Sequence, residues 1–333
     1  MDYTLSYSQA SSHYIDIKVE AKTDGKEKLQ FQLPAWRPGR YELGNFAKNI
    51  QRWKAFNQDG ILLPFKKLTK DLWEVECQGA DQVIVEYNYF AHELNAGSTY
   101  LDEEQLYVNP VNCLVYQPER AGEECLVNLN LPEDYNIAIA LEEVDDRVFK
   151  TKNFDELADS PFIASANLQH HEFNEKGTTF HLWFQGLFKA NWEKIEKDFR
   201  AFAAEQIKFF GDFPTKNYHF LFQILPTSFY HGVEHSASTV IVLGPSYAVL
   251  DEKGRYEDLL GVSSHELFHT WNVKRIRPIE MWPYDFSKEN YSRLGYLSEG
   301  ATTWYGDLML YRSKVFTDAA FFRTFNQLLD RHF

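Results

Sequence analysis

Short segments in the first half of the chain alternate between apolar and polar residues. The alternation recurs in SHYIDIKVEA, KLQFQLPAW, DLWEVECQ, DQVIVEYNYFA, CLVNLNLP and TTFHLWFQG, and turn residues interrupt it. A period of two residues is typical of β-strands with one buried face, and many short strands in succession favour an antiparallel sandwich or barrel. We therefore predict an N-terminal all-β domain, an antiparallel β-sandwich, over residues 1–186.

The period changes to that of a helix after Gly186. Between Asn191 and Gly211, six apolar residues fall on roughly one helical stripe: Trp192, Ile195, Phe199, Phe202, Ile207 and Phe210. This change predicts a domain boundary near residue 187 and a second domain over residues 187–333. The chain is thus expected to be an α+β protein of two domains.

The second domain is predicted to combine a small sheet with several helices. Two strand-like runs, YHFLFQIL and STVIVLG, flank an irregular segment at 226–237. Helical patterns follow at about 256–271, at 298–310 and from 318 onward. The last pattern is strongly apolar on one side, so we expect it to pack on earlier helices or on a continuation of the natural chain.

Charge and cysteine content narrow the possible partners. The formal net charge of -14 disfavours binding to nucleic acid, whose phosphates require a basic surface. The apolar runs are too short to cross a bilayer, and the first residues lack a signal-peptide pattern. Cys77, Cys113 and Cys125 match neither a disulfide framework nor a zinc knuckle, so we expect buried thiols. These features predict a cytoplasmic protein without membrane or nucleic-acid partners.

The segment LLGVSSHELFHTWNVKRIRP contains the pentapeptide His265-Glu-Leu-Phe-His269. On a helix, residues four apart share a face, so the two histidines can bind one metal ion together. No proline occurs from residue 256 until Pro278, and the segment offers four core-facing residues: Leu259, Leu260, Val262 and Leu267. Glu266 would then act as the general base for attack of water on a carbonyl. The alternative is that both histidines are buried core residues and Glu266 is a solvated helix residue.

A catalytic zinc ion needs a third protein ligand, and the pentapeptide does not supply one. Downstream, YLSEGATTWYGDLML offers Glu299 at the start of the helix predicted at 298–310, behind Ser298 as the expected N-cap. A glutamate at this position can also serve only to meet the positive end of the helix dipole. By position alone, Glu299 is therefore a candidate ligand with a structural alternative.

These residues resemble the M61 peptidase family, the glycyl aminopeptidases. The resemblance rests on SSHELFHTWNVKRIRP followed by LSEGATTWY, and it extends upstream through LPAWRPGRYELGNFAKNI at 33–50, DSPF at 159–162, FGDFP at 210–214 and HGVEHSAS at 231–238. The marks occur in family order over nearly the whole chain. The resemblance implies a thermolysin-like catalytic domain after the all-β domain, with a bound Zn²⁺ and a peptide substrate.

Residue roles follow from the same resemblance. It implies that His265, His269 and Glu299 bind zinc and that Glu266 is the general base. The Gly232-Val233-Glu234-His235 segment resembles the family's Gly-x-Glu-His segment, which is similar to the Gly-x-Met-Glu-Asn loop of the related M1 aminopeptidases, whose glutamate holds the free amine of the substrate. The resemblance therefore implies that Gly232, Val233 and Glu234 bind substrate, with Glu234 holding the amine. Without the resemblance, Glu234 would be taken for an exposed loop acid. Thr303 lies one turn after Glu299 and is a candidate for supporting a ligand from behind, or an ordinary helix residue.

The resemblance leaves more than one function open. Family members run on through further helices and a PDZ-type domain, so we expect the catalytic domain to be incomplete here. The preferred hypothesis is a zinc aminopeptidase that favours small first residues such as Gly or Ala. One alternative is a zinc endopeptidase in which Glu234 has no amine to hold. The other is a non-catalytic protein whose β-rich half binds a partner and whose metal site is vestigial.

Overall fold

The computed structural model describes residues 1–40, 42–251 and 255–332, and the chain divides into two compact units. Unit 1 comprises Met1–Ala166 and Pro283–Tyr291, and unit 2 comprises Asn167–Trp282 and Ser292–Phe333. Four sheets and several helices make the chain a mixed α+β protein, as predicted. No helix among the described residues has both the length and the apolar character needed to cross a membrane.

Unit 1 is built mainly from strands. They are β1 Asp2–Ser6, β2 Tyr14–Lys22, β3 Lys28–Gln32, β4 Ile50–Asn57, β5 Phe65–Lys67, β6 Leu72–Glu76, β7 Gln82–Phe90, β8 Tyr100–Leu101, β9 Leu106–Val108, β10 Cys125–Leu129, β11 Asn136–Ile139, β12 Glu142–Asp145, β13 Val148–Thr151 and β14 Phe162–Ser165. Its short α-helices are α1 Pro110–Cys113 and α2 Phe154–Ala158.

The strands of unit 1 form three sheets. Their orders are β12-β13-β10-β1-β2-β7-β4, β11-β14-β9-β8 and β3-β6-β5. The largest sheet is mixed, because β1 and β10 pair in parallel, so the prediction of a purely antiparallel arrangement is wrong at this pair. An alternating pattern reports which face of a strand is buried, and it carries no information on the direction of the neighbouring strand.

The core of unit 1 takes its residues from the alternating strands. In β2, for example, Ile15, Ile17 and Val19 are buried while the residues between them are partly exposed. The three cysteines are buried and unpaired, as predicted: Cys77, Cys113 and Cys125. The alternation thus works as expected, with the apolar positions directed into one shared core.

The segment Pro283–Tyr291 belongs to unit 1 although the chain around it belongs to unit 2. The carbonyl of Phe286 accepts backbone hydrogen bonds from Ala35, at 2.8 Å, and from Trp36, at 3.3 Å. The Phe286 ring is buried and packs edge-on against Tyr116 and Phe154. This insertion supplies both a backbone acceptor and a core side chain to unit 1.

Unit 2 consists of one sheet and a set of helices. The strands are β15 Gln169–Glu175, β16 Thr178–Gln185, β17 Asn217–Ile224, β18 Phe229–Glu234 and β19 Ser238–Gly244, in the order β15-β16-β17-β19-β18. The helices are α3 Trp192–Phe210, α4 Ser246–Val249, α5 Tyr256–His269, α6 Thr302–Arg312 and α7 Asp318–His332. A π-helical turn, Tyr296–Ala301, leads directly into α6.

The division between the units falls at Ala166, whereas the sequence predicts a boundary near 187. β15 and β16 account for the difference, because β16 pairs in parallel with β17 over seven residues, from Thr179 to Gln185. They are strands like those before them, but their partners come later in the chain. A change of period marks where helices begin in the sequence. The sheet of unit 2 includes strands from before that point, so the division between the units lies earlier than the change of period indicates.

Three helix predictions in unit 2 are confirmed. α3 buries Ile195, Phe199, Phe202 and Ile207 and ends at Gly211, whose φ of 103° suits glycine. α5 runs over the histidine pentapeptide and buries Leu259, Leu260, Val262 and Leu267. α7 begins at Asp318 as predicted. The segment predicted to be irregular at 226–237 instead contains β18, which pairs antiparallel with β19 at the edge of the sheet.

Candidate functional site

The two histidines of the pentapeptide lie on one face of α5. Their Nε2 atoms are 3.0 Å apart, because the i, i+4 spacing of a helix brings both rings to the same side. The His269 side chain is 2% exposed and that of His265 is 24% exposed. One ring is therefore enclosed, and the other forms part of the surface of a cleft.

Glu299 approaches both rings from the π-helical turn. Its Oε2 atom lies 3.7 Å from His265 Nε2 and 3.6 Å from His269 Nε2. Ser298 is inside this turn and its carbonyl accepts a hydrogen bond from Thr302 Oγ1 at 2.7 Å. The prediction that Ser298 is an N-cap is wrong, because the turn starts earlier and continues into α6 without a break. The extra residue of a π-turn is common at functional sites.

Asn272 joins the end of α5 to this turn. Its carbonyl lies 2.8 Å from His269 Nδ1, and its side-chain amide donates to the carbonyl of Leu297, at 2.8 Å, and to Thr302 Oγ1, at 3.0 Å. An Nδ1–H directed at a carbonyl leaves the Nε2 lone pair of His269 available as a ligand. The sequence gives no signal for this residue, which follows the second histidine in a stretch without regular secondary structure.

The packing of α5 on its neighbours fixes the position of His265. Gln206 of α3 is fully buried and donates to both the carbonyl and the hydroxyl of Ser264, and that hydroxyl donates to the carbonyl of Gly306. A Cβ atom at Gly306 would lie 3.1 Å from His265 Cα, so glycine permits α6 to pack this closely. Thr303 Oγ1 lies 3.5 Å from His265 Nδ1, a position that allows the predicted supporting contact.

Glu266 is buried beside the histidines, contrary to the alternative of a solvated helix residue. Its Oε2 atom has no hydrogen-bond partner within the described ranges. Burial raises the pKa of Glu266 to about 8, and the negative charge of Glu234 adds to this effect. A Cβ atom at Gly232 would lie 2.2 Å from Glu266 Oε1. The glycine of β18 therefore makes room for this carboxylate.

Glu234 is also buried, with 8% exposure, so it is not an exposed loop acid. It stands at the end of β18, and its carboxylate lies within 4.8 Å of the candidate ligand atoms of Glu266 and His269. Val233 beside it is buried, and its carbonyl accepts a hydrogen bond from Thr239 Oγ1 at 3.0 Å. The structure thus brings the predicted Gly232-Val233-Glu234 segment to the same site as the histidines.

Three carboxylates surround the two imidazoles. Burial alone lowers the pKa of His269, but Glu299, Glu234 and Glu266 outweigh it and raise the pKa to about 9. Burial lowers the pKa of His265. Burial also raises the pKa of Glu299, but hydrogen bonds from both histidines outweigh that effect, and the pKa is lowered. The carboxylate oxygens and imidazole nitrogens thus form a close set of donor atoms of the kind that binds a metal cation.

These observations fit a zinc ion. Two imidazoles and one carboxylate are a ligand set of zinc hydrolases. A tetrahedral ion with ligand distances of about 2.0–2.1 Å separates neighbouring ligand atoms by about 3.4 Å, and the three observed separations are 3.0, 3.6 and 3.7 Å. The unpartnered Oε2 of Glu266 is the further group that a water molecule at the ion would satisfy.

The candidate ligands open into a cleft of about 740 Å³ within unit 2. This volume is in the range of small-molecule and peptide sites. Its wall includes Gly232, His265, Glu266, Thr303 and Asp307. β18, the last strand in the order of this sheet, contributes Tyr230 and Gly232 to the wall of the cleft.

Comparisons with known proteins agree with this geometry. The model of the M61 peptidase N-terminal domain matches residues 2–166, and the model of the M61 glycyl aminopeptidase matches residues 258–333. The two matches flank the part of unit 2 that contains β18. No curated protein matched the chain.

Solved structures share the fold. A crystal structure of an aminopeptidase N family protein from Idiomarina loihiensis is 25% identical with a TM-score of 0.88, and the alignment covers 96% of this chain but 56% of that one. An M1 zinc metallopeptidase from Deinococcus radiodurans, a mutant bound to a Tyr-Ser-Ala substrate, is 13% identical with a TM-score of 0.54, covering 95% of this chain and 71% of that one. The present chain thus spans little more than half of the Idiomarina protein.

Proposed function

The chain belongs to the M61 glycyl aminopeptidase family, and on that premise we propose that it is the zinc-dependent catalytic portion of an aminopeptidase. The observation that carries the proposal is the convergence of His265, His269 and Glu299 at 3.0–3.7 Å beside a buried Glu266 with an unpartnered oxygen. His265, His269 and Glu299 would hold the ion. A zinc ion supplies Lewis-acid polarisation of a carbonyl and lowers the pKa of a water molecule to about 7.

Glu266 is the proton carrier of the proposed reaction. It accepts a proton from the attacking water and later delivers it to the nitrogen of the departing amine. Its enclosed position beside the histidines suits both steps, because one of its oxygens has no hydrogen-bond partner among the described residues and can meet first the water and then the departing nitrogen. Gly232 keeps the space in front of this carboxylate free of side-chain atoms.

Glu234 is proposed to hold the free amino group of the substrate. An exopeptidase must distinguish a terminal ammonium from an amide within a chain, and a buried carboxylate does so through a charge-assisted hydrogen bond. The end of β18 offers such a carboxylate within 4.8 Å of ligand atoms of the site. Gly232 and Val233 precede it on the edge strand, where their backbone can pair with an extended substrate.

Finer features of the proposal come from the family resemblance. They are a thermolysin-like arrangement in unit 2, a sandwich arrangement in unit 1, and a preference for Gly or Ala at the first substrate position. The three buried free cysteines support a location in a reducing compartment such as the cytoplasm. Thr303 is proposed to steady His265 from behind.

An endopeptidase with the same ligands is the second candidate, and one comparison separates the two. The zinc-loaded protein is given an alanyl dipeptide amide with a free amine and its N-acetylated form. If Glu234 binds the amine, acetylation lowers kcat/KM strongly, and Glu234→Gln removes most of that difference. Equal rates on the two substrates in the wild type would exclude the aminopeptidase assignment.

Glu266→Gln tests the hydrolytic mechanism itself. The substitution keeps the shape of the side chain and removes its capacity to accept a proton. We expect hydrolysis of a glycyl or alanyl chromogenic amide to fall by about 10²–10⁴-fold, while the zinc content measured on the same sample stays unchanged. Activity that survives the substitution would overturn the mechanism and leave the non-catalytic alternative.

A further inference from the structure

A second group of metal-ligating side chains lies on the sheet of unit 2, outside the cleft. His170 and Glu172 alternate along β15, and His181 faces Glu172 from β16. Phe173 and Phe180 point to the opposite face, where the core cluster that includes α3 residues is located. The three polar side chains therefore share the face of the sheet that points away from α3.

The ligand atoms of this group form a compact triangle. His170 Nε2 lies 3.1 Å from His181 Nδ1, and Glu172 Oε2 lies 3.9 Å from the first and 3.2 Å from the second. Neighbouring ligands of a tetrahedral zinc ion are about 3.4 Å apart. The triangle therefore has nearly the dimensions of the one formed by His265, His269 and Glu299.

Aromatic neighbours hold both imidazoles in place. The His170 ring stacks on Trp183 with 3.7 Å between ring centroids, and the His181 ring stacks on His219 with 4.4 Å between centroids. Trp183 Nε1 donates to His219 Nδ1 at 3.2 Å, which links the two supporting rings. Rings fixed in this way lose little further freedom when they bind an ion.

The second nitrogen of His181 also has a partner. His181 Nε2 lies 3.5 Å from Asn217 Oδ1. An Nε2–H directed at this oxygen leaves the Nδ1 lone pair directed towards His170 and Glu172. Histidine ligands of metals usually have such a partner for their other nitrogen, and His269 has the same relation to the Asn272 carbonyl.

We propose that His170, Glu172 and His181 form a second site for a divalent transition-metal ion of the zinc type. Two imidazoles and a carboxylate suit Zn²⁺ better than Mg²⁺ or Ca²⁺, which take oxygen ligands. Glu172 remains 57% exposed, so solvent can complete the coordination. A simple cross-strand polar pair does not require two histidines stacked into one orientation with their nitrogen atoms converging on a carboxylate.

Zinc stoichiometry and affinity, measured on the full chain by titration calorimetry with Zn²⁺, test this site without reference to activity. The wild type is expected to bind two ions per chain. His170→Ala with His181→Ala leaves one ion, and His265→Ala with His269→Ala leaves the other. All four substitutions together remove binding. The pairwise design separates this inference from the proposed function, because each pair of substitutions removes a different ion.

Two single variants guard against misfolding and nonspecific binding. Glu172→Gln keeps the shape of an exposed side chain and is expected to weaken only the second ion, by at least the roughly 10–100-fold that loss of a group supporting a ligand costs, because here a charged ligand is itself lost. His171→Ala is the matched control, since His171 lies on the same strand, points to the other face and pairs with Glu196 at 2.8 Å. It should keep both ions. If the number of ions bound by the wild type did not fall on loss of His170 and His181, the proposal would be overturned. A wild type with a single ion that is lost with His170 and His181 would support this site and count against the proposed function.

Discussion

At the scale of single residues, the site depends on how closely β18 approaches α5. The clearest case is Gly232, whose missing side chain leaves space for Glu266. We predict that Gly232→Ala lowers kcat by about a hundredfold, because a displacement of about 1 Å at a reacting group costs about that much. The zinc content should stay unchanged, since Glu266 is proposed as the base and not as a ligand. Both quantities are measured on the same preparation.

Gly122→Ala is the control for this substitution. A Cβ atom at Gly122 meets nothing within 4 Å, and the residue is exposed in unit 1. The variant should keep full activity. If Gly232→Ala were equally active, the close contact between β18 and Glu266 would have no part in catalysis.

Asp307 of α6 provides a prediction about pH. Burial raises its pKa from 3.8 to about 6. Its proton is thus held more tightly in the folded protein, so stability falls as pH rises from about 4 to about 6, and the cost is complete above pH 6. Asp307→Asn removes that cost and should stabilise the protein at pH 8 by about 1–2 kcal/mol, after discounting for partial exposure, with little effect at pH 4.

Thermal unfolding of wild type and Asp307→Asn at the two pH values measures this effect. The Tm difference between the two proteins is compared at pH 4 and at pH 8, because titrations that both proteins share cancel in this difference. A difference of the same size at both values would show that the carboxyl group of Asp307 titrates normally.

The sequence predicts these residues unequally. The i, i+4 spacing of His265 and His269 places both rings on one face only if the segment is helical. The apolar residues around them, which α5 buries, predict that helix. Glu234 could be assigned to the site only through the family resemblance, because nothing local distinguishes a buried edge-strand acid from an exposed loop acid. Asn272 and Gly306 act through contacts with other elements, which no local pattern encodes.

At the scale of elements, the geometry of the site depends on the joint between α5 and the π-helical turn. Asn272 makes this joint with hydrogen bonds to Leu297 and Thr302 and with its carbonyl near His269. We predict that Asn272→Ala weakens zinc binding by about 10–100-fold, because the turn that carries Glu299 loses its connection to the histidine helix. Zinc titration against a chelator of known affinity measures the loss.

Asn153→Ala provides a matched control for lost stability. Asn153 caps α2 in unit 1, accepting a hydrogen bond from the Glu156 backbone at 2.8 Å. Its replacement costs about 1 kcal/mol but should leave zinc affinity unchanged. If both asparagine variants weakened zinc binding alike, the effect would reflect general destabilisation, and Asn272 would have no specific role at the metal site.

Two element predictions failed for physical reasons. Ser298 before Glu299 has the sequence of an N-cap, but a π-helical turn already begins at Tyr296, and tertiary hydrogen bonds from Asn272 to its carbonyls stabilise it. β18 lacks a clear alternation, since Gly232 and Glu234 interrupt its apolar residues, and its pairing with β19 supplies the strand geometry. In both places the contacts that decide the structure are made with distant residues.

At the scale of the whole molecule, the chain forms two cores, and each has its own cluster of buried residues. The sequence identifies both, since alternation dominates the first and helical periodicity the second. It does not reveal that β15 and β16 join the second sheet or that Pro283–Tyr291 joins the first unit. Strand pairing and insertion depend on contacts across long stretches of chain, and period analysis is local.

The insertion leads to the last prediction. Phe286 is buried among Tyr116 and Phe154 in unit 1, although it lies between Glu266 and Glu299 in sequence. Phe286→Ala should destabilise unit 1 by about 3–5 kcal/mol, the usual cost of emptying a buried phenylalanine site. Hydrogen exchange should therefore accelerate in β3 and β6 more than in β16 and β17.

Phe199→Ala should give the reverse pattern, because Phe199 of α3 is fully buried against Phe220 and Phe222 in unit 2. Exchange should then accelerate first in β16 and β17, and zinc release should follow it. Phe286→Ala should neither accelerate exchange in β16 and β17 nor release zinc under conditions where unit 2 stays folded. If the two variants accelerated exchange equally in all four strands, the two cores would unfold as one cooperative unit, and the insertion would stabilise the whole chain rather than unit 1.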